Sequence, residues 1–262
     1  MARLRLGLWQ SPGELDGVEA RLAWLRVQCE ASPGLDLALL PELFLSGYNA
    51  GPAALSAAAD QMPALLASVA ALARTHGLAL AFGYPERAGD ALYNTACLID
   101  ATGTVQLRHR KRVLPPGFEA TCFAVGERAP EVVALCGVRV ALLVCFEVEF
   151  PEAVRALARA DAELVLVPTA LGDAWGIVAQ QVVPTRAFEN SLFVAYANHA
   201  GVEQGERYLG ESCIVSATGA CLARAGAEPT RLFAEIDTDI IAPWRARLPF
   251  LAQSAALRPT TG

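Results

Sequence analysis

A seven-residue pattern occurs twice in this chain. Cys97-Leu98-Ile99-Asp100-Ala101-Thr102-Gly103 returns 116 residues later as Cys213-Ile214-Val215-Ser216-Ala217-Thr218-Gly219. Each copy reads as an apolar strand running into a tight Ala-Thr-Gly turn toward an antiparallel neighbour, with glycine supplying the positive φ. Leu37 to Pro41 is echoed in the same manner by Leu164 to Pro168. Short turns also recur by chance, so two readings stand: coincidence, or two similar half-domains packed sheet to sheet with helices outside.

The rest of the chain alternates strand and helix signals. Apolar runs at Leu4 to Leu8, Leu35 to Leu40, Leu78 to Phe82, Val138 to Val144 and Leu164 to Val167 predict buried strands. Apolar residues three and four apart predict helices over Glu14 to Cys29, Ala64 to Thr75, Pro151 to Ala160 and Val178 to Asn190. No Ser-, Gly- or Pro-rich tract divides them, which predicts one α/β domain over residues 1–262. A chain of this length buries roughly three quarters of its extended surface, so a large core is available.

With 54% hydrophobic and 18% charged residues the chain reads as well packed. No apolar stretch of the roughly 18 to 20 residues needed for a membrane span is expected. Met1 to Leu8 opens a strand-like alternation without a signal-peptide core, and the protein is expected in the cytoplasm. Its seven cysteines form no C-x-x-C pair, which favours reduced thiols. A net charge of −6 argues against a nucleic-acid partner.

Cys145 ends the run Val138 to Val144 and precedes Phe146-Glu147-Val148-Glu149-Phe150-Pro151-Glu152. A buried strand thus delivers a thiol to a turn, and the turn opens a helix at Pro151. A free cysteine is most often a core residue. Carboxylates crowded beside a strand end are costly without a purpose, and the backbone N–H groups of such a turn suit an oxyanion. Glu42 follows the run Leu37 to Leu40, where desolvation would raise its pKa toward that of a base; alone, Pro-Glu after a strand is usually a cap or a solvated turn. Lys111 lies in Arg108-His109-Arg110-Lys111-Arg112, a basic edge strand or, if extended and one-sided, a segment turning His109 and Lys111 inward. Glu119 is near enough to pair with that lysine. His109 also permits a Cys145–His109 couple, while His76 and His199 read as polar loop residues. No Asp/His cluster has metal-ligand spacing.

These residues and their surroundings resemble the nitrilase superfamily of carbon–nitrogen hydrolases. The matching blocks are L-L-P-E-L-F-L-S-G-Y from Leu39, H-R-K-R from His109, L-L-V-C-F-E-V-E-F-P-E from Leu142, V-P-T-A from Val167, R-A-F-E-N from Arg186, and the Y-x-G-x-S pattern of Tyr208, Gly210 and Ser212. They span most of the chain in the family's order. The resemblance implies a four-layer α-β-β-α sandwich of two pseudo-symmetric halves and usually a homodimer. It also implies Glu42 as general base, Lys111 as oxyanion stabiliser, Cys145 as nucleophile, and Glu119 as a positional or proton-relaying group. The sequence departs from the common pattern at His109, where many members have an aromatic residue, at Val113, where many have histidine, and at Phe146-Glu147, where Tyr-Asp is frequent.

The reaction so implied is hydrolysis of a small aliphatic amide, with the Phe146 N–H joining Lys111 at the oxyanion and no cofactor required. Tyr48, Phe118, Leu171 and Trp175 are the candidate substrate contacts; Trp175 reads equally as a core or dimer aromatic. Hydrolysis of N-carbamoyl amides is the enzymatic alternative, and nitrile hydrolysis is disfavoured. A non-catalytic sensor of small amides is the rival from another class, with the intact Glu42, Lys111 and Cys145 counting against it.

Overall fold

Strand β1 (Arg3–Gln10) exposes Arg3 and Arg5 and buries Leu4, Leu6 and Leu8, the alternation of a strand with one covered face. The computed structural model describes residues 3–257, so Met1 and Ala2 of the predicted first strand lie outside the described residues. After β1 come α1 (Gly17–Glu30), β2 (Leu37–Leu39), α2 (Pro52–His76), β3 (Ala79–Ala88), β4 (Ala91–Ile99) and β5 (Val105–Arg110). The first three strands are parallel, and β4 and β5 add antiparallel at one side.

A linking stretch with α3 (Phe118–Cys122) and β6 (Val132–Leu135) leads into β7 (Val138–Leu142), α4 (Pro151–Arg159), β8 (Leu164–Pro168), α5 (Val183–Asn190) and β9 (Phe193–Ala197). A small hairpin of β10 (Val202–Glu203) and β11 (Glu206–Arg207) precedes β12 (Cys213–Val215) and β13 (Cys221–Arg224). Here too three parallel strands are followed by two antiparallel ones. Strand β14 (Thr230–Asp237) closes the first sheet against β1 as β6 closes the second against β7, and α6 (Ile241–Arg247), α7 (Phe250–Gln253) and a 3-10 turn, Ser254–Leu257, complete the described residues. The sheets therefore run β14-β1-β2-β3-β4-β5 and β13-β12-β9-β8-β7-β6, one topology used twice. The two echoed turns fall at equivalent places, β4–β5 and β12–β13, with Gly103 at φ +79° and Gly219 at φ +81°.

The inner faces meet in one buried cluster, with Leu6, Leu39 and Leu98 from the first sheet and Val140, Leu166 and Ile214 from the second. The outer faces carry the helices: Met62 and Val69 of α2 pack with Leu80 and Phe82, and Val154 and Ala187 of α4 and α5 with Val165 and Val194. This is an α-β-β-α order of layers, and it explains why the central strands are apolar on both faces.

Two helices differ from the expectation. Helix α2 starts at Pro52 rather than Ala64 and runs through Pro63, an interior proline that removes a ladder bond and argues for a boundary in sequence. Packing of Leu55, Ala59 and Met62 before it and Leu65, Val69 and Leu72 after it overrides that signal. At 25 residues α2 is also long and apolar enough to cross a membrane, contrary to the expectation of no such segment, but its apolar face lies on the first sheet. The predicted helix from Val178 begins as a π-helical turn, Val178–Val182, and becomes α-helical near Pro184, where the missing N–H is tolerated.

Candidate active site

Glu42, Lys111 and Glu119 meet where connections of the first sheet cross its edge. Glu42 follows β2, and its backbone is fixed on both sides: its N–H donates to the Thr169 carbonyl at 3.2 Å, and His199 Nε2 donates to its carbonyl at 2.8 Å. That bond leaves His199 Nδ1 to accept from the Ser11 hydroxyl at 3.0 Å. His199 does lie in a loop, after β9, but it is a fully buried strut there, and burial lowers its pKa to about 4, keeping it neutral. Strand β3 approaches the Glu42 loop closely at Gly83, where a Cβ would lie 2.3 Å from Leu43 N and 2.7 Å from Glu42 Cα. Any side chain there would move the carboxylate.

Lys111 stands one residue past β5. Along this strand His109 and Lys111 are buried while Arg108 and Arg112 are exposed, the one-sided arrangement expected of an inward-turning segment. The ammonium donates to Glu42 Oε1 at 2.7 Å and to Glu119 Oε1 and Oε2 at 2.7 and 2.8 Å. Asn94 Nδ2 bridges the same carboxylates, at 2.7 Å to Glu42 Oε1 and 3.1 Å to Glu119 Oε2. The Tyr48 hydroxyl adds a 2.7 Å bond to Glu119 Oε1, and its ring meets Phe118 edge-on at 5.5 Å. Glu42 Oε2, also buried, has no hydrogen-bond partner among the described residues.

Cys145 starts a 3-10 turn, Cys145–Glu149, and α4 opens after it at Pro151, the turn-then-helix order read from the sequence. Its φ of +45° is a sparsely populated conformation for a side-chain-bearing residue. Glu147 holds this turn: its carboxylate accepts from Val144 N at 2.8 Å, His109 Nε2 at 2.8 Å and Arg112 N at 2.9 Å. One buried carboxylate therefore ties the cysteine turn to the segment carrying Lys111. It also pairs two departures from the family pattern with each other, and it gives His109 a partner other than the thiol. Phe146 lies in the first turn, where N–H groups lack intrahelical acceptors, and its ring packs on Phe150.

Desolvation dominates the electrostatics. Burial pushes Glu42 up, Lys111 pulls it down and Glu119 pushes it up again, leaving it at about 7. Burial, then Glu42, raises the Cys145 thiol, against opposing contributions from Lys111 and a hydrogen bond with Thr169. Burial works against the Lys111 ammonium, but Glu42, Cys145 and Glu119 outweigh it and raise its pKa. The resting arrangement is thus a neutral thiol and a charged lysine beside a carboxylate poised near neutrality.

Of the remaining sequence candidates, Tyr48 and Phe118 sit on this cluster. Leu171 packs its side chain among Val178, Ala179 and Tyr196 in the outer core, and Trp175 is 61% exposed. Sequence reasoning missed Asn94 and Thr169. Asn94 occupies a buried position in β4 between Tyr93 and Thr95, and Thr169 stands after Pro168 where the echoed segment has Glu42 after Pro41. A polar residue at a position the strand pattern buries was the available signal.

The carbon-nitrogen hydrolase profile matches residues 14–246. This chain belongs to the carbon-nitrogen hydrolase family. Among solved structures, an amidase from Nesterenkonia sp. AN1, of the nitrilase superfamily, is similar at a TM-score of 0.84 and 35% identity, covering 95% of this hydrolase and 96% of that chain. A cysteine-to-alanine variant of that amidase is in complex with butyramide, and a glutamate-to-glutamine variant shows Michael addition of acrylamide at the active site cysteine. Curated relatives include the "Hydrolase in pqqF 5′region" of Pseudomonas protegens, 38% identical over 95% of this chain and 88% of its own length. An (R)-stereoselective amidase of Pseudomonas sp is 34% identical over 78% of this chain and 74% of its own.

Proposed function

We propose that this enzyme hydrolyses the carbon–nitrogen bond of small aliphatic amides, giving a carboxylic acid and ammonia through a thioester on Cys145. The observation that carries this reading is the buried Lys111 ammonium held between Glu42 and Glu119 and electrostatically coupled to the thiol. Glu42 uses Oε1 for Lys111 and Asn94, so Oε2 is the oxygen available to accept the thiol proton. The sulfur then bonds to the amide carbon. Lys111 and the Phe146 N–H stabilise the oxyanion, each such donor being worth about a hundred- to a thousandfold in rate. Collapse breaks the carbon–nitrogen bond as the Glu42 proton passes to the leaving nitrogen, and ammonia departs. Water then gives a proton to Glu42 and its oxygen displaces the sulfur, restoring the thiol and releasing the acid. Glu119 holds Lys111 in place, and Tyr48 and Phe118 wall the acyl pocket. The butyramide and acrylamide of the Nesterenkonia amidase, both short aliphatic amides, support the substrate class.

The test is an ammonia-release screen of wild type and Cys145→Ala over aliphatic amides, dicarboxylic monoamides, carbamoyl compounds and nitriles. Turnover of aliphatic amides that disappears in Cys145→Ala is expected. Preferential turnover of carbamoyl compounds, or binding without turnover in the wild type, would overturn it.

We further propose a homodimer that covers the free side of α4. Ala153 and Ala156 there border a groove of about 660 Å³ with Phe150, Val113, Val125 and Pro130. Ala158 of the same helix faces the other way and is buried in the protomer's own core. The seven free cysteines accord with a cytoplasmic enzyme.

A further inference from the structure

A second buried charge cluster lies behind the site and touches none of the reacting groups. Glu203, at the end of β10, is 7% exposed, and its Oε1 pairs with Nη2 of Arg21 from α1 at 2.8 Å. Its Oε2 accepts the successive backbone N–H groups of Tyr48 and Asn49, at 3.1 and 3.0 Å, and the Tyr208 hydroxyl. Asn49 Nδ2 closes the ring by donating to Tyr208 Oη at 3.1 Å. Gly47 makes room for it: with φ at +87°, a Cβ there would fall 2.1 Å from Glu203 Oε1.

Buried ion pairs are weak contributors to stability, because desolvation offsets most of the attraction. The effect of this one is geometric. Two adjacent N–H bonds to one carboxylate fix the backbone at Tyr48, and so the direction in which its hydroxyl reaches Glu119. The geometry points to Glu203 as a positioning residue: clamped by Arg21 and Tyr208, its carboxylate sets the Tyr48 backbone so that the Tyr48 hydroxyl holds Glu119 against Lys111. Glu203 belongs to the second half of the chain and Tyr48 to the first, so the clamp aligns one half's ion cluster from the other half. The inference rests on the amidase reading above.

The experiment is a double-mutant cycle on kcat and KM for ammonia release from butyramide, using Glu203→Gln, Tyr48→Phe and the pair, with circular dichroism to establish folding. Glu203→Gln is expected to lower kcat about tenfold with less effect on KM, and to change kcat less than about threefold once Tyr48→Phe has removed the hydroxyl. A merely structural role would give effects that multiply. Full multiplication, or an unchanged kcat in Glu203→Gln, overturns the inference. If Glu203→Gln does not fold, Tyr208→Phe takes its place; it keeps the Arg21 pair and both N–H bonds, and is expected to lower kcat about threefold only while Tyr48 is present. Cys145→Ala separates the two levels: activity surviving in that variant refutes the reaction, whereas an inactive Cys145→Ala with a multiplicative cycle refutes only the positioning.

Discussion

Replacing Lys111 with alanine removes the cation shared by two buried carboxylates, and its cost should depend on pH. In the intact protein Glu42 is already raised from an ordinary value of 4.5 to about 7, even though Lys111 pulls it down. A carboxyl whose folded pKa lies above its unfolded one contributes stability that is fully present below the unfolded value and lost as pH rises through the folded value. For the wild type that window is about pH 4.5 to 7. Without Lys111 the folded pKa climbs further, and the loss extends above pH 7. Breaking a buried pair by removing one partner costs about 3–5 kcal/mol. For a chain of this size that corresponds to a melting temperature lower by roughly 6–20 °C. The assay is urea unfolding of wild type and Lys111→Ala at pH 5 and pH 8.5, with ammonia release measured alongside. The stability gap should be widest at pH 8.5 and narrow at pH 5, and turnover should fall at least about a hundredfold at both. A gap of equal size at the two pH values, or none, would refute the assignment of Lys111 as the charge that makes this carboxylate cluster tolerable.

The rate itself should follow Glu42: kcat/KM is expected to rise with pH through about 7, and Glu42→Gln to remove turnover without unfolding, as checked by steady-state profiles and circular dichroism. Brief iodoacetamide treatment should modify the exposed Cys136 and Cys221 without loss of activity, while inactivation tracks Cys145 alone in peptide maps; inactivation that follows another cysteine contradicts this. His109→Phe deprives buried Glu147 of a donor and should cost about 1–3 kcal/mol in urea melts, yet retain much of the activity; a folded but inactive variant would favour a Cys–His mechanism. Ala156→Glu, exposed on α4, should give monomers by light scattering, and an unchanged assembly would remove the proposed dimer face.

The residues of the site were legible because each stands in a local context that is costly without a use. Cys145 ends a buried strand, Glu42 follows another, and Lys111 alternates with arginines that remain outside. The doubled turn around Gly103 and Gly219 carried the pseudo-symmetry, since turn chemistry is local. What was not legible depends on partners distant in sequence. Nothing around Glu203 announces that it will take the N–H groups of Tyr48 and Asn49, and nothing around Asn94 that it will bridge Glu42 and Glu119. Helix α2 shows the opposite failure: Pro63 gave a clear local signal, which packing on both sides of it overrode.

Glu42, Asn94 and Lys111 ride on the first sheet, and Cys145 and Thr169 on the second. In the proposed reaction the proton's path from thiol to base is consequently a measurement across the sandwich, gauged by the thickness of the inner leucine and valine layer and by the two bonds that tie the Glu42 backbone to the second half, Glu42 N to Thr169 O and His199 Nε2 to Glu42 O. Side chains such as Leu39 and Leu142 carry no chemistry, but they act as the shims of that gauge. Trimming one of them would alter the rate by changing a spacing, and repacking the layer elsewhere could restore it.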